Sequence, residues 1–174
     1  WWQAEGNFLG LEHLPNLLAT NARSHSIYDV LGFLGTYHKW FYRPVFLLWM
    51  GAQEVVWGNN PVLFHASSVL LHGIVVALAA ILSVRISGRW LSAYWCAVIF
   101  LFWNCKDNAI FWIASSSTLL AAVFSLLSIH FWIYLRVGKR RWYYALCLLT
   151  FALALCSKTE AVFTPLAIVS LEVF

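Results

Sequence analysis

The chain is poor in charge. Only 10% of its 174 residues are Asp, Glu, Lys or Arg, against about 25% in an ordinary soluble domain. So few charges cannot coat a folded surface, and the composition excludes a soluble globular protein. The four cysteines are Cys96, Cys105, Cys147 and Cys156. None forms a CxxC pair, and no His/Cys cluster has metal-ligand spacing. Three lie within apolar runs and read as small hydrophobes. Walker, GxGxxG, GxSxG and HExxH motifs are all missing, which removes the common soluble-enzyme chemistries. No signal-peptide pattern, low-complexity tract or solenoid-length repeat is visible. The chain opens Trp1-Trp2 without Met and closes inside the apolar run Ala161 to Phe174. That predicts an internal piece of a larger membrane protein.

Apolar residues fill the space. The sequence is 62% hydrophobic, with thirteen Phe, eleven Trp and seven Tyr, a composition suited to lipid-facing surfaces and interfacial aromatic belts. The expected fold is all-α, a polytopic transmembrane helical bundle. Residues 1–60 are mixed and read as an extracytoplasmic loop. Within it, Leu9, Leu11, Leu14, Leu17 and Leu18 recur at roughly helical spacing, as in an amphipathic interfacial helix. The stretch from Phe41 to Trp57 is apolar but holds Gln53 and Glu54. It reads as a helix in or dipping into the interface, with a full span as the rival. Transmembrane helices are expected at about 61–84, 90–104, 109–135, 142–156 and 160–174. Asn59-Asn60-Pro61 is a helix-start signal for the first. The second and fourth are short against the roughly 20 residues needed to cross.

Charges give the sidedness. Arg85 and Arg89 fall in one loop, and Arg136, Lys139, Arg140 and Arg141 in another two spans later. Loops rich in Lys and Arg stay cytoplasmic. The net charge of +4 therefore reflects insertion and gives no reason to expect nucleic-acid binding. Residues 1–60, the Asn104–Asn108 loop and the Ser157–Glu160 turn then face outward.

Candidate functional residues are the polar groups on that outer face, each with a plainer reading. Arg43, in Tyr42-Arg43-Pro44, is an interfacial anchor before a helix-starting proline, or a guanidinium aimed at a lipid phosphate. His65, Ser68 and His72 share one helical face. They serve inter-helix hydrogen bonding, or His65, nearer the boundary, belongs to a site. Asp107 beside Lys106 is a solvated pair, or a carboxylate that binds a divalent metal or positions an acceptor hydroxyl. Ser115-Ser116-Ser117-Thr118 reads as close helix packing. Lys158 snorkels or pairs with Glu160, or it binds phosphate. His130 and Glu172 are placed towards the inner ends of their spans and carry no functional weight.

With these residues placed, the chain from about Tyr42 onward resembles GT-C-fold glycosyltransferases. The nearest likeness is to protein O-mannosyltransferase-like enzymes, including bacterial relatives and the membrane part of tetratricopeptide-repeat mannosyltransferases. The resemblance rests on Tyr42-Arg43-Pro44-Val45, then Trp57-Gly58-Asn59-Asn60-Pro61 leading into Phe64-His65 and Leu70-Leu71-His72. Next come Ala109-Ile110-Phe111-Trp112-Ile113 and Leu119-Leu120-Ala121. Last is Ser157-Lys158 with Ala161 and Pro165. Asn108, beside Asp107, stands where the family often has Glu. Ser115-Ser116-Ser117-Thr118 replaces a Gly-Arg-x-Asp stretch. Glu160 follows Ser157-Lys158-Thr159 one place later than the family's acid.

The resemblance implies transfer of a sugar from a polyprenyl- or dolichyl-phosphate donor to an acceptor hydroxyl. Transfer takes place on the extracytoplasmic or lumenal face of a bacterial inner membrane or the endoplasmic reticulum. Glu5 and Asp107 become the catalytic carboxylate candidates, and Arg43, Lys158 and His65 the donor-phosphate contacts. Membrane lipid is the surrounding partner. No cofactor is required beyond a divalent metal that Asp107 leaves open. The alternative is a non-catalytic polytopic protein, such as a transporter or lipid-handling subunit, with His65, His72 and Lys158 as a polar pathway.

Overall fold

A computed structural model describes residues 43–58, 60–102, 116–138 and 140–173, and every element among them is helical. Glu5, Asp107 and the helices expected within 1–42 lie outside the described residues.

The first helix, α1 (Pro44–Trp57), begins on a proline. Its fixed φ and missing N–H suit a first helical turn. Gly58 ends it at φ +57°, its N–H donating to Glu54 O. The next helix, α2 (Pro61–Ser87), starts as its sequence signal predicts: Asn60 Oδ1 accepts from Val62 N at 3.1 Å, with Pro61 in the first turn. It reaches Ser87 rather than Val84. Gly88, left-handed at φ +69°, closes it by donating to Val84 O at 2.7 Å. The chain then turns into α3 (Trp90–Phe102). The turn is tied by Ser87 Oγ to Ser92 Oγ at 2.6 Å and by Ser92 Oγ donating to Arg89 O at 2.7 Å.

Helix α4 (Ser116–Gly138) is followed by α5 (Trp142–Ser157). The last expected helix departs from its sequence reading. Residues Thr159–Phe163 form a 3-10 helix, and α6 (Thr164–Val173) begins only afterwards. Pro165 explains the break. Deep in a continuous helix it would delete a hydrogen bond and clash with the preceding turn, whereas in a first turn it does neither.

Two helices, α2 and α4, are long and apolar enough to cross a membrane. At 1.5 Å per residue they measure roughly 40 and 35 Å, against a bilayer core of about 30 Å. Their most apolar windows are only 17% and 39% buried within the fold. Val62, Val69 and Leu70 of α2 are all exposed. α3 and α5 are shorter apolar helices.

Paired contacts set the directions. Leu71 of α2 packs with Leu119 and Leu120 of α4 in a core that Trp49, Val123 and Phe124 extend. Further on, Arg85 of α2 meets Tyr134 of α4, so these two helices run parallel. α5 returns against α4: Tyr143 stacks on Tyr134, Ser128 Oγ donates to Cys147 O at 3.1 Å, and Lys158 reaches Thr118. α6 follows α4 again, with Thr164 on Ser125 and Glu172 on Trp132. Small residues line these contacts. Ser128, Ala154 and Ser157 are completely buried, which lets the backbones approach closely.

Candidate functional site

The polar residues concentrate where α2 and α4 begin and α5 ends. α1 carries its own share there. Gln53 Nε2 donates to Ser67 Oγ at 2.6 Å, and Ser67 Oγ donates onward to Phe64 O at 2.7 Å. Both Gln53 and Ser67 are buried. An amide buried among apolar helices is costly unless bonded, and this pairing offsets that cost. It also fixes α1 against α2, with Trp57 meeting Phe64 edge-on at 6.2 Å.

Arg43 precedes α1 and is half-buried. Its Nη1 donates to Ser117 Oγ at 3.4 Å. Lys158 follows α5 and is the N-cap of the 3-10 helix. Its Nζ donates to Thr118 Oγ1 at 3.0 Å and pairs with Glu160 Oε2 at 2.7 Å. Ser117 and Thr118 are sequence neighbours, so their levels along α4 differ by only about 1.5 Å. Two cations from opposite ends of the described chain thus reach one level of one helix. Consecutive helical residues point about 100° apart, so the cations approach α4 from adjacent sectors.

The burial around this point is uneven. Ser116 and Ser117 are almost fully buried, at 2% and 1% exposure, as is Ser68 of α2 at 1%. The Lys158 side chain keeps 20% exposure and Glu160 keeps 64%. The ammonium is therefore more sheltered towards Thr118, a part-buried contact, than towards the exposed Glu160. A hydrogen bond from a charged donor contributes about 1.5–3 kcal/mol, whereas an exposed ion pair contributes about 0–1 kcal/mol. Thr118 is the stronger anchor.

His65 is half-buried in the early part of α2 and makes no hydrogen bond among the described residues. The structure brings Arg43 and Lys158 to one helix, but it does not join His65 to either. Ser68 and His72, on the same face, are buried. No three His, Cys, Asp or Glu side chains gather as a metal site among the described residues.

Three features went unnoticed in the sequence. Ser117 and Thr118 read there only as packing residues, yet they also accept from the two cations. Gln53 read as a polar interruption and turns out to be a buried donor. Glu172 accepts from Trp132 Nε1 at 2.8 Å and pairs with Arg136 at 2.9 Å. That last cluster lines an open pocket with Ile133, Val137 and Leu171, at the far end of α4 from Arg43 and Lys158. Its carboxylate is matched by Arg136 and Trp132. No protein-family model matches the chain, nor does any curated protein or solved structure.

Proposed function

We propose that the chain is part of a multi-pass membrane glycosyltransferase that uses a lipid-phosphate-linked sugar. The carrying observation is the convergence of Arg43 and Lys158 on Ser117 and Thr118. Charges are scarce in this chain, and a cation half-buried beside apolar helices is costly unless it is bonded. Placing two at one level favours a doubly ionised oxyanion such as a polyprenyl or dolichyl phosphate. The guanidinium supplies a planar bidentate contact and the ammonium a compact point charge.

The reaction is a displacement at the sugar C1. A loop carboxylate, Glu5 or Asp107, takes the proton from the acceptor hydroxyl as its oxygen bonds to C1. The bond from C1 to the phosphate oxygen breaks, and the lipid phosphate leaves with the electron pair. Arg43 and Lys158 stabilise the charge that grows on that phosphate. α2 and α4 cross the membrane in this reading. α3, α5 and α6 complete a helical bundle, and the site lies on the extracytoplasmic or lumenal face.

The test is transfer by the full chain in membranes supplied with polyprenyl-phosphate sugars, compared with Arg43→Ala and Lys158→Ala. Each variant is expected to insert normally and to lose transfer by about a hundredfold or more, the scale for removing a group that stabilises developing charge. Unchanged transfer in either variant removes that residue from the site. Stable insertion with no transfer to any hydroxyl acceptor moves the reading to a lipid-handling protein.

A further inference from the structure

The other end of the helices has a different chemistry. Arg85, Arg89, Arg136, Arg140 and Arg141 are all exposed there. Of the three described acidic residues, Glu54 and Glu160 belong to the opposite end, and only Glu172 reaches this one. Glu172 is taken up by Arg136 and Trp132. Five arginines against one matched glutamate leave a strong positive surplus.

These arginines are mounted on an aromatic frame. The Arg85 guanidinium lies 4.2 Å from the Tyr134 ring centroid and bonds the phenol oxygen. Tyr134 stacks on Tyr143 at 5.5 Å, and Tyr143 on Trp142 at 4.5 Å. The stack joins the end of α2 to the α4–α5 turn. Around it, Trp90, Trp142 and Tyr144 are exposed at 83%, 54% and 51%. Exposed indoles and phenols suit the headgroup level of a bilayer.

We infer that this arginine-and-aromatic end is a docking face for the headgroups of anionic glycerophospholipids. The inference rests on the reading that α2 and α4 cross the bilayer, which sets the arginines at headgroup depth. Insertion bias accounts for the sign of the charge, but it is indifferent to Arg versus Lys. Five of the six cations that the sequence places at this end, all but Lys139, are arginines, the side chain that grips a phosphodiester bidentately. The exposed apolar flanks of α2 and α3 adjoin the same arginines, so acyl chains and headgroup would be met by one continuous surface. Clusters of this size beside a membrane helix attract anionic lipid, with roughly a fivefold gain per cation.

The test uses the full chain. Resistance to alkaline carbonate extraction first establishes insertion. The protein, purified in neutral detergent, is then titrated with phosphatidylglycerol or phosphatidylcholine, and retained lipid is read by native mass spectrometry. Phosphatidylglycerol is expected to be retained at least about tenfold better. The triple variant R89Q/R140Q/R141Q should lose that preference with helicity unchanged by circular dichroism, and R89K/R140K/R141K should keep part of it. Equal retention of both lipids overturns the inference, as does a preference that survives the glutamine variant. Release by carbonate is a separate result and would overturn the membrane reading beneath it.

Discussion

Lys158 and Thr118, forty residues apart, are joined by a 3.0 Å hydrogen bond that holds the end of α5 against the start of the described part of α4. The same ammonium holds Glu160 on its exposed side. An incoming phosphate would keep the first contact and compete with the second.

Thr118→Val tests the part-buried contact. The substitution keeps the branched shape and removes the acceptor. Lys158 then loses its more sheltered anchor, and transfer is expected to fall about tenfold, equivalent to roughly 1.4 kcal/mol. Thr118→Ser restores the oxygen and should recover most of the loss. Membrane insertion is the control measurement. Equal activity of the valine and serine variants would show that the hydroxyl does not position Lys158.

Glu160→Gln tests the exposed contact and has the opposite sign. If Lys158 receives the phosphate as proposed, the carboxylate would compete with it, and an exposed pair contributes at most about 1 kcal/mol. Removing its charge should lower the KM for the lipid-phosphate sugar by up to about fivefold, with kcat little changed. An increase in KM would mean that Glu160 holds Lys158 in place.

Ser128 reports on the α4–α5 packing. It is fully buried, and its hydroxyl donates to Cys147 O. Hydrogen bonds between membrane helices average only about 0.6 kcal/mol, so Ser128→Ala should change stability little. Ser128→Leu forces extra methylenes between closely approaching backbones and should cost about 1–3 kcal/mol. Thermal unfolding in detergent compares the two. A larger loss for alanine than for leucine would contradict the packing account.

Gly88 and Asn60 bracket α2. A side chain at Gly88 meets no neighbouring atom within 4 Å, yet the residue sits at φ +69°, where a Cβ costs about 1–2 kcal/mol. Asn60→Ala removes the cap on Val62 N and should cost about 1 kcal/mol. Gly88→Ala is therefore expected to destabilise at least as much as Asn60→Ala, although it removes no side-chain contact. Denaturation midpoints of the two variants decide the order.

These two positions also show what sequence can convey. Asn60-Pro61 is a local start signal, written in adjacent residues, and the cap formed where those residues placed it. Pro44 likewise marked the start of α1. The Thr159–Phe163 break was not legible, because Ala161, Val162 and Phe163 are as apolar as a continuing helix. Pro165 was the only cue. Arg43 and Lys158 stood out because charge is rare in an apolar chain. Their partners Ser117 and Thr118 lie 74 and 40 residues away, and no local pattern carries such a pairing. A small buried hydroxyl also looks the same in sequence whether it packs, accepts from a cation or does both.

The alternation of sides can be tested directly, and the lengths of α3 and α5 make the test sharp. At about 20 and 24 Å they fall short of a 30 Å bilayer core. Yet α2 and α4 run parallel, so one return helix must bring the chain back between them if both cross. The paired ends predict that Arg89 and Glu160 lie on opposite faces. In a background with the native cysteines replaced by serine, Glu160→Cys should react with an impermeant maleimide from the extracytoplasmic side. Arg89→Cys should react only after permeabilisation. Labelling of both from one side would mean that the short helices do not complete a crossing, and Lys158 would then share a face with the arginine cluster, against the proposed site.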